Sequence, residues 1–262
     1  MAIPSRDFFP VICILIRVIA IISDLHFEEE ASDVISGRGG RPGVIFRRNL
    51  DPRAYCSFIA QMAEQMERRC LRTFDLVIAG DLFDFNRTVL WFRDDLRPYV
   101  PLSKTSPQLE AKLLDILEAI AIEPPVQQAL EAFRLLARGR YRQNGKERDF
   151  PARRINIHYL TGNHDRLSNA TRAMRKRVRE LIGLKGDSLF PHIFLAKDPA
   201  VLVRHGHEYD GNNFSNDLGK ARSIPEKISE KVYGEANFGD FITIDVTARL
   251  PFLLRRYYGD HQ

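Results

Sequence analysis

The chain has too little cysteine for a disulfide framework. Cys13, Cys56 and Cys70 are all it has in 262 residues, an odd number without CxxC spacing. That argues for a reducing compartment, and a cytoplasmic protein is expected. No apolar run is long enough to cross a bilayer. The nearest, Phe8–Ile22, follows Arg6 as the hydrophobic region of a signal peptide would, but Arg17 interrupts it and it runs straight into Asp24-Leu25-His26. It reads as a buried strand behind an irregular extension over residues 1–12. The glycine-rich stretch Gly37–Gly43 lacks the Gly-Lys-Ser/Thr ending of a nucleotide P-loop. That leaves a linker, or arginines gripping a substrate phosphate. The basic run Arg172–Arg179 has no interleaved aromatics for stacking single-stranded bases, and no specific nucleic-acid motif is present. A solvated face is expected there, with an anionic docking surface as the alternative.

What is present fits an enzyme. One large domain is the default at this length, 44% hydrophobic residues suffice for a packed core, and a net charge of +5 is compatible with phosphate-bearing substrates. Three apolar runs, Val18–Ile22, Leu76–Ala79 and Ile155–Leu160, read as buried strands. They lead into Asp24-Leu25-His26, Gly80-Asp81-Leu82-Phe83-Asp84 and Gly162-Asn163-His164-Asp165. In open α/β sheets ligands bind at the C-terminal ends of strands, so these carboxylates, imidazoles and amides would converge there. Such groups suit borderline divalent metals, and three converging loops could hold two ions. A fourth run, Val201–Arg204, ends in His205-Gly206-His207.

The four segments, in this order and each behind a strand, resemble the calcineurin-like metallophosphoesterase family over roughly residues 18–210. The Gly-Asp-Leu-Phe-Asp and His-Gly-His segments are also similar to the branch that hydrolyses nucleotide-linked lipid sugars, and more distantly to DNA-repair exonucleases. The resemblance implies a four-layer α/β sandwich of two central mixed sheets flanked by helices. It also implies hydrolysis of a phosphomonoester or phosphodiester through two divalent ions, with Mn, Fe and Zn all suited. Asp81 would bridge the ions, Asp24 and His26 would serve the first, and Asn163 and His205 the second. His164 would protonate the leaving oxygen, oriented by Asp165. Asp84 is expected to support the site rather than ligate.

Helices are expected from Pro52 to about Arg72, over Gln108–Ile122, Val126–Arg138 and Asn169–Leu184, and near Asp240–Arg255. Tyr55, Phe58, Ile59, Met62 and Met66 would face the core. The domain would cover 13–262, with a helical insertion at about 86–150 beside or over the site as a lid. His158, His192 and His261 read as core or surface residues. The family's last segment, Gly-His-x-His, is absent. Three explanations compete: a shortened chain, which is favoured; completion of the site by His207, which shares a face with His205 if the segment is extended; or a degraded second metal position. The alternative function is a non-catalytic metal- or phosphate-binding or regulatory protein that retained the fold.

Overall fold

A computed structural model describes residues 17–30, 33–35, 44–46, 48–214 and 228–258. In chain order its elements are β1 (Arg17–Ile22), β2 (Asp33–Ile35), β3 (Val44–Phe46), α1 (Pro52–Arg68), β4 (Thr73–Ala79), α2 (Pro107–Ile122), α3 (Pro124–Ala137), β5 (Arg140–Gln143), β6 (Lys146–Asp149), β7 (Arg154–Leu160), α4 (Arg172–Leu181), β8 (Ile193–Lys197), β9 (Ala200–Arg204), α5 (Glu230–Tyr233) and α6 (Phe238–Phe241). A π-helical segment, Ile242–Ala248, then leads into α7 (Arg249–Tyr258). Residues Gly37–Gly43 and His261 lie outside the described residues.

The fold is mixed α/β around a parallel sheet in the order β1-β4-β7. The alternation of β4 decides what each face does. Phe74, Leu76 and Ile78 join the main core with α1, α2, α3 and α4, whereas Val77 and Ala79 join Leu160 on the opposite face. There the antiparallel hairpin β8–β9 covers them with Phe194, Ala196 and Val203. Each fully buried aliphatic or aromatic side chain of this kind contributes about 1.5–3 kcal/mol. The sheet is parallel throughout, where mixed sheets were expected, because each strand returns through a crossover. Among the described residues the only strands on its second face are those of the hairpin.

Local chemistry sets the helix limits. Asp51 caps α1 by accepting from the Arg53 amide at 2.9 Å, with Pro52 in the first turn. Ser106 caps α2 in the same way from Leu109 at 3.2 Å, and Pro124-Pro125 ends α2 and opens α3. Tyr55, Ile59 and Met66 are buried, with Phe58 and Met62 packed against the same cluster. Within the stretch expected beside or over the site, Asn86 and Arg87 do lie against Asp84, but the two helices form no lid: α3 packs on α1 and β7, and α2 packs on α4. Both helices belong to the main core because their faces are apolar enough to need the sheet, with Leu113, Leu117, Val126 and Phe133 fully buried. Helix α4 is shorter than expected, because Arg166–Asn169 forms a separate 3-10 turn and Thr171 caps the start of α4. Its arginines bind within the protein: Arg177 pairs with Glu118 of α2, while Arg175 and Arg179 donate to carbonyls of Asp187 and Ser188. No helix among the described residues is long and apolar enough to cross a membrane.

Candidate metal centre

The parallel pairing of β1 with β4 continues past their ends. Asp24 N donates to Gly80 O at 3.2 Å, His26 N to Asp81 O at 2.9 Å and Phe27 N to Leu82 O at 2.9 Å. The third loop is tied in by His164 N donating to Asp81 Oδ1 at 2.9 Å and Phe85 N to His164 O at 3.3 Å. Asp24, His26 and Asp81 all have positive φ, of 57°, 45° and 53°. A non-glycine residue in that region costs on the order of 1–3 kcal/mol, and such strain collects at functional sites. Here it turns three donor side chains toward one another.

Asp81 Oδ2 lies between two imidazoles, 3.8 Å from His26 Nε2 and 3.1 Å from His205 Nε2. Asp24 Oδ1 is 3.8 Å from the same His26 nitrogen, and Asn163 Oδ1 is 3.2 Å from that of His205. The other ring nitrogens are committed. His205 Nδ1 donates to the carbonyl of Ala79 at 2.8 Å, and His26 Nδ1 donates to Asp84 Oδ2 at 2.9 Å, so the Nε2 of each ring is the one that faces inward. Asn163 Nδ2 donates to Asn213 Oδ1 at 3.4 Å, which turns the Asn163 oxygen toward His205. Burial would lower the His205 pKa, but the hydrogen bond and charge of Asp81 raise it to about 9. Asp81, though buried, is held below the ordinary carboxylate range by His205, His164 and His26.

A divalent ion with donors at about 2.0–2.2 Å needs donor atoms about 3–4 Å apart. Asp24, His26 and Asp81 lie close enough together to form one such set, and Asp81 and Asn163 each lie within that range of His205 on the other side. Neighbouring glycines keep the space open. A Cβ on Gly162 would stand 2.2 Å from Asp81 Oδ1, and one on Gly80, whose φ is +93°, would stand 2.6 Å from His205 Nδ1.

His164 lies beside these donors, its ring edge-to-face with His26 at 4.8 Å. Its Nδ1 donates to Asp84 Oδ1 at 3.0 Å, so one buried carboxylate orients both imidazoles. Burial alone would raise the Asp84 pKa, but His164, His26 and Arg87 hold it far below the usual range. The His164 pKa, which burial would lower, is raised by the same Asp84 and by Asp81. His26, Asp84 and His164 are close enough to be a donor set themselves. Their hydrogen bonds instead occupy the nitrogens that face Asp84.

Two expectations need correction. Asp165 does not orient His164, because its 3-10 turn aims the carboxylate into the protein. It accepts from Leu82 N at 2.8 Å, Gly162 N at 2.6 Å and Tyr159 Oη at 2.5 Å, and thereby braces the second and third loops. His207 belongs to neither donor set. Gly206 at φ 103° breaks the extended run that would have put His205 and His207 on one face. The His207 ring packs on Phe214 and Tyr233, and burial pushes its pKa down to about 4. Sequence reasoning missed Asn213 and the two-handed role of Asp84. Only the spacing of Asp84 after Asp81 carried a signal. His192 is a core residue, as expected: it is buried, its ring stacks on Tyr233 at 3.6 Å and its nitrogens lie on Thr161 and Glu230.

Compared with models of known families, with curated proteins and with solved structures, the chain matches none.

Proposed function

We propose that the chain is a phosphoesterase that uses two divalent ions, and that its fold is a version of the metallophosphoesterase sandwich in which β8–β9 begins the second sheet. The observation that carries this is Asp81 Oδ2 between the inward Nε2 atoms of His26 and His205, with Asp24 and Asn163 at the two ends. Asp24, His26 and Asp81 would hold one ion, and Asp81, Asn163 and His205 the other, with Mn, Fe and Zn all compatible. Bound there, such ions would neutralise a phosphoryl group and make water acidic enough to yield a nucleophile near neutral pH. His164 keeps a proton on Nδ1 toward Asp84 and offers Nε2 to the leaving oxygen as general acid. Asp84 stabilises the imidazolium form of that acid until the proton is given up. Buried Asp165 holds the two loops at fixed spacing while the proton moves.

The test is hydrolysis of nitrophenyl phosphate and bis(nitrophenyl) phosphate by chelated protein before and after return of Mn or Zn. Metal-dependent turnover, lost in Asp81→Asn, is expected. Metal binding without turnover of either ester would select the non-catalytic metal- or phosphate-binding reading instead.

A further inference from the structure

The opposite end of the parallel sheet carries a second polar cavity that the metal centre does not use. Register brings it together: Arg17 pairs with Thr73, and Thr73 with Arg154, so the starts of all three strands lie side by side. Arg153 N and Arg154 N both donate to Arg72 O, at 2.9 and 3.1 Å, which adds two more arginines to the same edge. The resulting cavity, about 570 Å³, is lined by Arg17, Arg72, Arg153, Arg154, His158 and Asp198 among others, with Asp75 on its floor. That volume falls in the range of small-molecule sites.

Asp75 is fully buried in the middle strand and saturated with partners. Arg17 grips it with Nε at 2.6 Å and Nη2 at 2.9 Å, Asn156 donates at 3.0 Å and His158 Nε2 at 2.8 Å. Its charge is therefore spent on Arg17. Arg154 reaches only the neutral Asn156 amide, at 3.3 Å. Arg72 and Arg153 make no side-chain hydrogen bond or ion pair among the described residues, and Asp198 is the one further carboxylate in the lining. Among the described residues, three guanidinium groups thus line an open cleft with one further carboxylate to balance them, over a floor fixed by ion pairing. A merely solvated basic edge needs neither the cavity nor the buried anchor.

We infer that this cavity binds a small phosphate-class oxyanion, free or as the phosphate of a small metabolite, through Arg72, Arg153 and Arg154. Planar guanidinium groups match phosphate oxygens two at a time. Asp75 and Asp81 are six steps apart along strand and loop, at most about 20 Å at an extended rise, and lie at opposite ends of the sheet, so the site is distinct from the metal centre and does not depend on the proposed activity.

The experiment is residue-resolved arginine modification of the full chain by phenylglyoxal, read by mass spectrometry, with inorganic phosphate, pyrophosphate or chloride at equal ionic strength. Phosphate and pyrophosphate should protect Arg72 and Arg153, chloride should not, and exposed Arg256 should react equally in all three. In parallel, Arg72→Gln/Arg153→Gln should weaken phosphate binding at this site, followed by protection of Arg154, by about 10-fold or more. Protection that is absent, that chloride reproduces, or that only a single-stranded oligonucleotide confers would overturn the inference. So would unchanged protection of Arg154 in the double variant.

Discussion

At the scale of single residues, the centre depends on which nitrogen of each histidine faces inward, and Asp84 decides this for two of them. Asp84→Asn removes the acceptor charge that fixes His26 and His164. It should lower turnover by about 100-fold, as for loss of a general acid's control, and metal affinity by about 10-fold through His26. Nitrophenolate esters, which need little protonation, should lose less than alkyl esters, and comparison of the two series checks this. Equal losses would leave Asp84 no part in proton delivery. The strands that carry the candidate residues were legible as short apolar runs, each followed directly by Asp, His or Asn side chains, and that is a local property of the sequence. The partners of His164 were not legible. Asp165 is adjacent in sequence but turned inward by a 3-10 turn, while Asp84 is 80 residues away and reaches His164 only through the tertiary fold.

Among elements, the loops after β1, β4 and β7 behave as one unit, closed by the backbone hydrogen bonds that continue the sheet. Gly162→Ala tests how tightly that unit is built, because Gly162 itself has no left-handed conformation and the methyl meets Asp81 directly. Bound metal should fall by about 10-fold or more in affinity, and because the methyl also stands 2.9 Å from the Asp81 backbone nitrogen, thermal stability in chelator should fall as well. Gly80→Ala should lose metal and also stability, by about 1–2 kcal/mol for the left-handed residue. Thermal melts of both variants, with and without Mn, separate the two effects. Helices were legible from their caps, as Asp51-Pro52 and Ser106-Pro107 show. Their packing was not, since an apolar face does not name its partner: α2 and α3 look like a lid in sequence and form the sheet's helical layer in the fold.

For the whole molecule, two cores on opposite faces of one sheet meet at β4, which carries Asp81 at one end and Asp75 near the other. Burial would raise the Asp75 pKa, but hydrogen bonds from Arg17, His158 and Asn156 hold it below the usual range. A carboxylate depressed in the fold stabilises above its unfolded pKa of about 3.9, and that contribution disappears as pH falls through the lower folded value. Asp75→Asn should therefore cost about 3 kcal/mol at pH 7 and less below pH 3, with a flatter acid limb in chemical denaturation. Strand β4 was legible as an apolar run, but Asp75 and His158 gave no local signal, because their meaning lies in cross-strand neighbours. The central claim is that Asp81 is shared by two cation positions, and metal stoichiometry measured on purified variants tests it most directly. The wild-type chain should hold two Mn or Zn ions, Asp81→Asn should weaken both, and Asp24→Asn should weaken one. One ion in the wild type, or the same loss from both variants, would contradict it.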